Sequence, residues 1–162
     1  MASNSETILR LDDGLRFVAT TPSGFNLTLD SRAGPRELVA GPSPMELQLV
    51  ALGGCTGMDV ISILRKMRED VEDYSVRLTH TRAADHPKVY TTVQIEHRLR
   101  GNALREENVR RAIALTMTRY CPVFAMLFPK VTISERFEIV DAATGAVLAG
   151  EASPGDAATG AS

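Results

Sequence analysis

A chain of 162 residues has room for one domain with a single core, and 44% hydrophobic with 23% charged residues is a globular composition. A net charge of −2 and a pI near 5.9 give no electrostatic pull toward nucleic acid or anionic lipid, which argues against both as partners. The opening Met1-Ala2-Ser3-Asn4-Ser5-Glu6 lacks the basic start and apolar stretch of a signal peptide, and the most apolar segment, Leu47 to Leu64, is interrupted by Gln48, three glycines and Asp59. The expectation is a cytoplasmic protein whose apolar segment is a buried helix rather than a membrane span.

Residues 15 to 29 read as a hairpin. Leu15, Phe17 and Ala19 alternate, Pro22-Ser23-Gly24 supplies the turn, and Phe25, Leu27 and Leu29 resume the alternation. Asp30 to Pro42 is rich in Gly, Pro and charge and reads as a loop, with room for a short strand at Glu37 to Ala40. A helix then starts at Ser43: Ser43 is a suitable N-cap, Pro44 is pre-set for the first helical position, and Glu46 completes a capping box. It is expected to run to about Glu69, with Leu47, Val50, Leu52, Met58, Ile61, Leu64 and Met67 around most of its circumference and Arg65, Lys66 and Arg68 at its negative end.

Ser75 to Arg82 and Val89 to Leu99 follow as a second hairpin. A second helix is expected from Ala103 to Tyr120, capped by Asn102, with Val109, Ile113, Met117 and Tyr120 on one stripe. A last strand, Val131 to Val140, closes the fold. The order is β-β-α-β-β-α-β, an α+β arrangement in residues 1–141, and the Ala, Gly and Ser composition of 142–162 predicts a disordered tail. One small sheet cannot wrap so apolar a first helix, so a second copy of the chain is the expected cover.

The chemistry centres on two cysteines, which in a reducing compartment are either inert core residues or a redox pair. Cys55 lies mid-helix in Leu52-Gly53-Gly54-Cys55-Thr56-Gly57, where each glycine costs roughly 1 kcal/mol relative to Ala. Close helix packing and access to the sulfur account for those glycines about equally well. Cys121 follows the second helix in Tyr120-Cys121-Pro122-Val123, and Pro122 disfavours helix at Cys121, which places this thiol at a chain turn.

Gly41-Pro42-Ser43-Pro44-Met45-Glu46-Leu47, then Gly54-Cys55-Thr56, then Tyr120-Cys121-Pro122-Val123 resemble the OsmC-like family, which includes the organic hydroperoxide resistance (Ohr) proteins. The resemblance covers about residues 14 to 140. It implies an intertwined homodimer with the first helices packed centrally. It also implies a thiol peroxidase in which Cys55 attacks an organic hydroperoxide, Cys121 resolves the sulfenic acid, and an external dithiol such as a lipoylated protein restores the pair, with no cofactor. The other reading is a non-catalytic dimeric stress-response or small-molecule-binding module of the same fold.

The sequence departs from the family pattern at one point. Peroxidase members carry a Glu after the Pro of the first motif, joined to an Arg; here that position is Met45 and the acid is Glu46. Glu46 is kept as a third candidate catalytic residue, although its capping-box role accounts for it and a nine-residue separation on a regular helix turns it away from Cys55. Arg16, Arg32 and Arg36 are candidate partners. Asp59, one turn beyond Cys55, would raise the thiol pKa if unpaired, so if Cys55 is reactive Asp59 should meet a cation or point away. His80, His86 and His97 lack the spacing of a common zinc site; His80 and His97 are expected to be cross-strand neighbours.

Overall fold

The computed structural model describes residues 5–31 and 40–158. The strand read at Glu37 to Ala40 falls almost wholly outside these residues, as do Arg32, Arg36 and the last four residues of the tail. The chain divides between Val50 and Ala51 into two compact units.

The first unit carries a three-stranded antiparallel sheet of β1 (Ile8–Asp13), β2 (Arg16–Thr20) and β3 (Asn26–Leu29). The β2–β3 hairpin turns where Pro22-Ser23-Gly24 places it, closed by the Gly24 N–H donating to the Thr21 carbonyl. β1 was not read from the sequence. Past β3, the Asp30 N–H donates to the Pro42 carbonyl, and Asp30 Oδ2 accepts the Ala40 N–H at 3.0 Å. This clasp brings Gly41 so close to β3 that a Cβ there would lie 2.2 Å from the Thr28 carbonyl oxygen, which is why only glycine fits. α1 (Pro44–Lys66) starts in this unit and continues into the second. Its capping box is formed as read: Glu46 Oε2 accepts the Ser43 N–H at 2.7 Å, and Ser43 Oγ accepts the Glu46 N–H at 3.3 Å. It stops before Arg68, which adopts the left-handed conformation at φ 59°.

The second unit is a four-stranded sheet in the order β4-β5-β6-β7, with β4 Asp70–Arg82, β5 Tyr90–Asn102, β6 Thr132–Asp141 and β7 Val147–Ala152. β4 and β5 form the expected hairpin. β6 runs parallel to β5, so the chain must cross over, and α2 (Glu106–Leu115), a π turn (Thr116–Tyr120) and α3 (Pro122–Leu127) make the crossing. Val60 and Leu64 of α1, Val109 and Ile113 of α2, Leu99 of β5 and Phe137 and Ile139 of β6 form the core. By length and composition α1 could cross a membrane, but the flank bearing Gly53 and Gly57 lies on β4: a Cβ at Gly53 would come within 2.7 Å of Leu78 Cδ1, and one at Gly57 within 3.2 Å of Val76 Cγ2.

Three readings are corrected. Residues 142–158 are not a structureless tail: β7 pairs antiparallel with β6, and a 3₁₀ turn follows at Pro154–Ala158. The open edge of β6 supplies the backbone partners that the Ala-Gly composition of β7 could not supply for itself. Asn102 is not a helix cap but the last residue of β5, its amide donating to Asp70 and Glu72. The second helix starts later, with Glu69 reaching across to accept the Arg105 N–H at 3.1 Å. His80 pairs with Val93 and His97 with Val76, so the two histidines are not cross-strand partners.

His97 instead sits in a buried polar chain on the core face. Its Nδ1 lies 2.6 Å from the Tyr74 hydroxyl and its Nε2 2.8 Å from Glu135 Oε2. With Tyr74 donating to Nδ1 and Nε2–H donating to Glu135, both ring nitrogens are satisfied.

Candidate active site

Cys55 and Cys121 are 66 positions apart, and the fold brings them together. Cys55 is half-buried in α1, between Gly54, which has open space beside it, and Thr56, whose hydroxyl donates back to the Leu52 carbonyl. Packing explains Gly53 and Gly57, and Gly54 is the one glycine left over, next to the sulfur. Cys121 arrives through the π turn, where its N–H donates to the Thr116 carbonyl five residues back. It then caps α3: Pro122 takes the first helical position and Cys121 Sγ accepts the Phe124 N–H at 3.3 Å. Both thiols are free.

The two sulfurs and a carboxylate oxygen of Asp59 all lie within 4.8 Å of one another. Asp59 is on the same helix face as Cys55, one turn on. Burial is the main reason that the Cys121 thiol is pushed up to about 12, and a hydrogen bond with the Cys55 thiol adds to it. Burial also raises the Asp59 carboxyl above its ordinary value, and its Oδ2 has no hydrogen-bond partner among the described residues. Asp59 opens on a cavity of about 220 Å³ lined by Ile63, Met67 and Leu115, with Tyr120 and Lys66 also on its wall. Among the described residues Asp59 therefore neither meets a cation in an ion pair nor points away, the two arrangements expected beside a reactive Cys55.

Glu46 is accounted for by Ser43, whose N–H and hydroxyl both donate to Oε2 at 2.7 Å and hold its carboxyl below the usual range. Arg16 is paired with Asp12 at 2.6 Å. Among the described residues, Cys55, Asp59 and Cys121 are the side chains whose donor atoms could converge on a metal ion; no histidine joins them.

A half-buried thiol on a glycine-bearing helix and a buried thiol capping a second helix define a two-cysteine α+β protein. The chain belongs to the OsmC-like family, whose model it matches over residues 34–136. It is 38% identical over 130 residues to the protein YhfA of Escherichia coli strain K12, spanning 80% of this chain and 94% of YhfA. A crystal structure of a hypothetical protein from Aquifex aeolicus VF5 matches with a TM-score of 0.75 and 30% identity, covering 86% of this chain and 98% of that one. The organic hydroperoxide resistance protein OhrB of Bacillus subtilis shares the fold, with a TM-score of 0.59 at 12% identity over 83% of this chain and 98% of its own.

Proposed function

We propose that the protein is a cytoplasmic, dithiol-dependent peroxidase that reduces organic hydroperoxides in the response to peroxide stress. The observation that carries this reading is the meeting of two free thiols, no more than 4.8 Å apart, from elements that nothing local forces together. A disulfide needs the sulfurs at about 2.05 Å, a closure that side-chain rotation and a small helix adjustment can supply.

The asymmetry of the pair supports the assignment of roles. Cys121 is almost wholly buried and its thiol is pushed up to about 12, which makes it the poorer first nucleophile of the two. Cys55, half-buried beside the open space at Gly54, takes the attacking role and Cys121 the resolving one. Ile63, Met67 and Leu115 on the cavity wall beside Asp59 support an organic over an inorganic peroxide. A dithiol, such as a lipoylated protein, returns the disulfide to two thiols by exchange. Exposed Val50 and Met58 on α1 support a homodimer, with the first helices forming its centre.

One equivalent of cumene hydroperoxide should produce an intramolecular Cys55–Cys121 disulfide, read by mass spectrometry. Cys55→Ser should abolish both the disulfide and peroxide consumption in the presence of dithiothreitol. Cys121→Ser should leave a sulfenic acid on Cys55 that dimedone traps. Wild-type protein in which Cys55 stays unmodified would refute the enzyme and leave a binding module of the same fold.

A further inference from the structure

Asp59 is an expensive residue to keep. Its side chain is half-buried, but its Oδ2 is buried without a partner among the described residues, and such an atom costs stability. Leu or Met would suit the apolar wall beside it better. Its position says which chemistry it can serve. A carboxylate oxygen lies within 4.8 Å of both sulfurs, and the same side chain borders the cavity. The ionisable groups that face it are Cys55 from its own helix, Cys121 from the start of α3, and Lys66 and Tyr120 on the cavity wall.

We propose that Asp59 is the proton carrier for both thiols, acting as base and then as acid in each of the two steps of one catalytic cycle. This rests on the peroxidase reading above and supplies what Met45 removes from it. First, the Asp59 carboxylate takes the proton of the Cys55 thiol. The Cys55 thiolate attacks the distal oxygen of the hydroperoxide and the O–O bond breaks. Sulfur is oxidised to the sulfenic acid, which keeps the hydroxyl of the peroxide, and the alkoxide leaves with the proton held by Asp59 as the alcohol. Asp59 is then ionised again. It takes the proton of the Cys121 thiol, whose sulfur attacks Cys55; the S–O bond breaks, and the departing hydroxide leaves with that proton as water. Two thiols and one hydroperoxide become one disulfide, one alcohol and one water, and Asp59 ends as it began.

The second half-reaction is where Asp59 matters most. Cys121 sits at about 12, so at pH 7 its thiolate fraction is on the order of 10⁻⁵ without a base beside it. A carboxylate within 4.8 Å of both sulfurs, a span that one water can bridge, removes that dependence on bulk hydroxide.

The test follows the two steps separately in stopped flow with cumene hydroperoxide, in wild type, Asp59→Asn and Asp59→Glu. General acid–base assistance contributes roughly 10²- to 10⁴-fold, so Asp59→Asn should lose that much in the rate of disulfide closure and should build up a dimedone-trappable Cys55 sulfenic acid although Cys121 is intact. Closure in Asp59→Asn should rise about tenfold per pH unit between pH 7 and 9, while in wild type it stays flat over that range. Asp59→Glu, which keeps the carboxyl group, should recover part of the rate and the flat profile. The inference is overturned if Asp59→Asn closes its disulfide at the wild-type rate. It is equally overturned if wild-type closure itself rises tenfold per pH unit, a measurement that needs no variant to fold. Wild type that never consumes peroxide sinks the parent reading instead, which keeps the two failures distinct.

Discussion

The buried Tyr74–His97–Glu135 chain sets a stability test whose size can be worked from its geometry. His97 is fully buried and Glu135 is 2% exposed, and their 2.8 Å bond spans β5 and β6 at the core face. Glu135→Leu leaves the His97 Nε2–H in a dry interior with no acceptor, and an orphaned buried donor costs about 1–3 kcal/mol. At about 2–4 °C per kcal/mol for a chain this long, the melting temperature should fall by roughly 2–12 °C. His97→Leu should cost a similar amount, since it strands both Glu135 and the Tyr74 hydroxyl. Burial, and after it the charge of Glu135, pushes that hydroxyl far above the usual tyrosine range, so it remains an O–H donor in need of an acceptor. The double variant should cost less than the two single changes together by about 2–3 kcal/mol, the coupling of residues in one network. Urea unfolding followed by circular dichroism at one fixed protein concentration measures all four corners of the cycle. Additive costs, or a Glu135→Leu protein within 1 kcal/mol of wild type, would refute the claim that this chain holds β5 and β6 together.

Truncation after Asp141 removes the strand that pairs with Glu135–Val140 and the Glu151 carbonyl that accepts from Arg110. It uncovers part of Phe137 and Ile139, so about 2–3 kcal/mol and a drop of roughly 5–10 °C are expected; a change under 2 °C in a thermal melt would show that β7 is dispensable. Because the Ser43 hydrogen bonds lower the Glu46 carboxyl, its stabilising contribution is present above the ordinary value of 4.5 and lost as pH falls through its lower folded value. Melts of wild type and Glu46→Ala should therefore converge as pH is lowered from 7 to 3, and a gap that widens would contradict the capping box. Asp59 has the opposite sign: its raised carboxyl weakens the fold as pH rises, so Asp59→Asn should melt at or above wild type at pH 8, with the difference vanishing near pH 3.

The parts of this fold legible in sequence are those fixed by short-range chemistry. Ser43, Pro44 and Glu46 announce the start of α1 because a capping box closes within four residues, and Pro22-Ser23-Gly24 marks its turn by backbone preference alone. What the sequence hid depends on distant partners. β1 is exposed along its whole length and exists by pairing with β2; the alternation of Leu9 and Leu11 before Gly14 was the available signal. β7 exists because β6 has a free edge, and α2 is capped by Glu69 rather than by the nearer Asn102. The candidate site divides in the same way. Cys55 and Cys121 stood out by their neighbours, and Asp59 was visible one turn from Cys55. The approach of its carboxylate to both sulfurs could not be read, because that depends on where α3 begins in space.

The π turn at Thr116–Tyr120 makes residue number, and not residue identity alone, a condition of the site. An α-helix spends 3.6 residues on a turn, and here the Cys121 N–H reaches back five positions to Thr116. Val109 and Ile113 moor α2 in the core upstream of that surplus, and Pro122 fixes the start of α3 just downstream. Side chains between the two anchors can drift without moving the Cys121 sulfur. Loss of one residue would straighten the helix and swing that sulfur by about 100° while leaving the core as it is. Substitution is the mild perturbation in this stretch, and a change of length by one residue is the severe one.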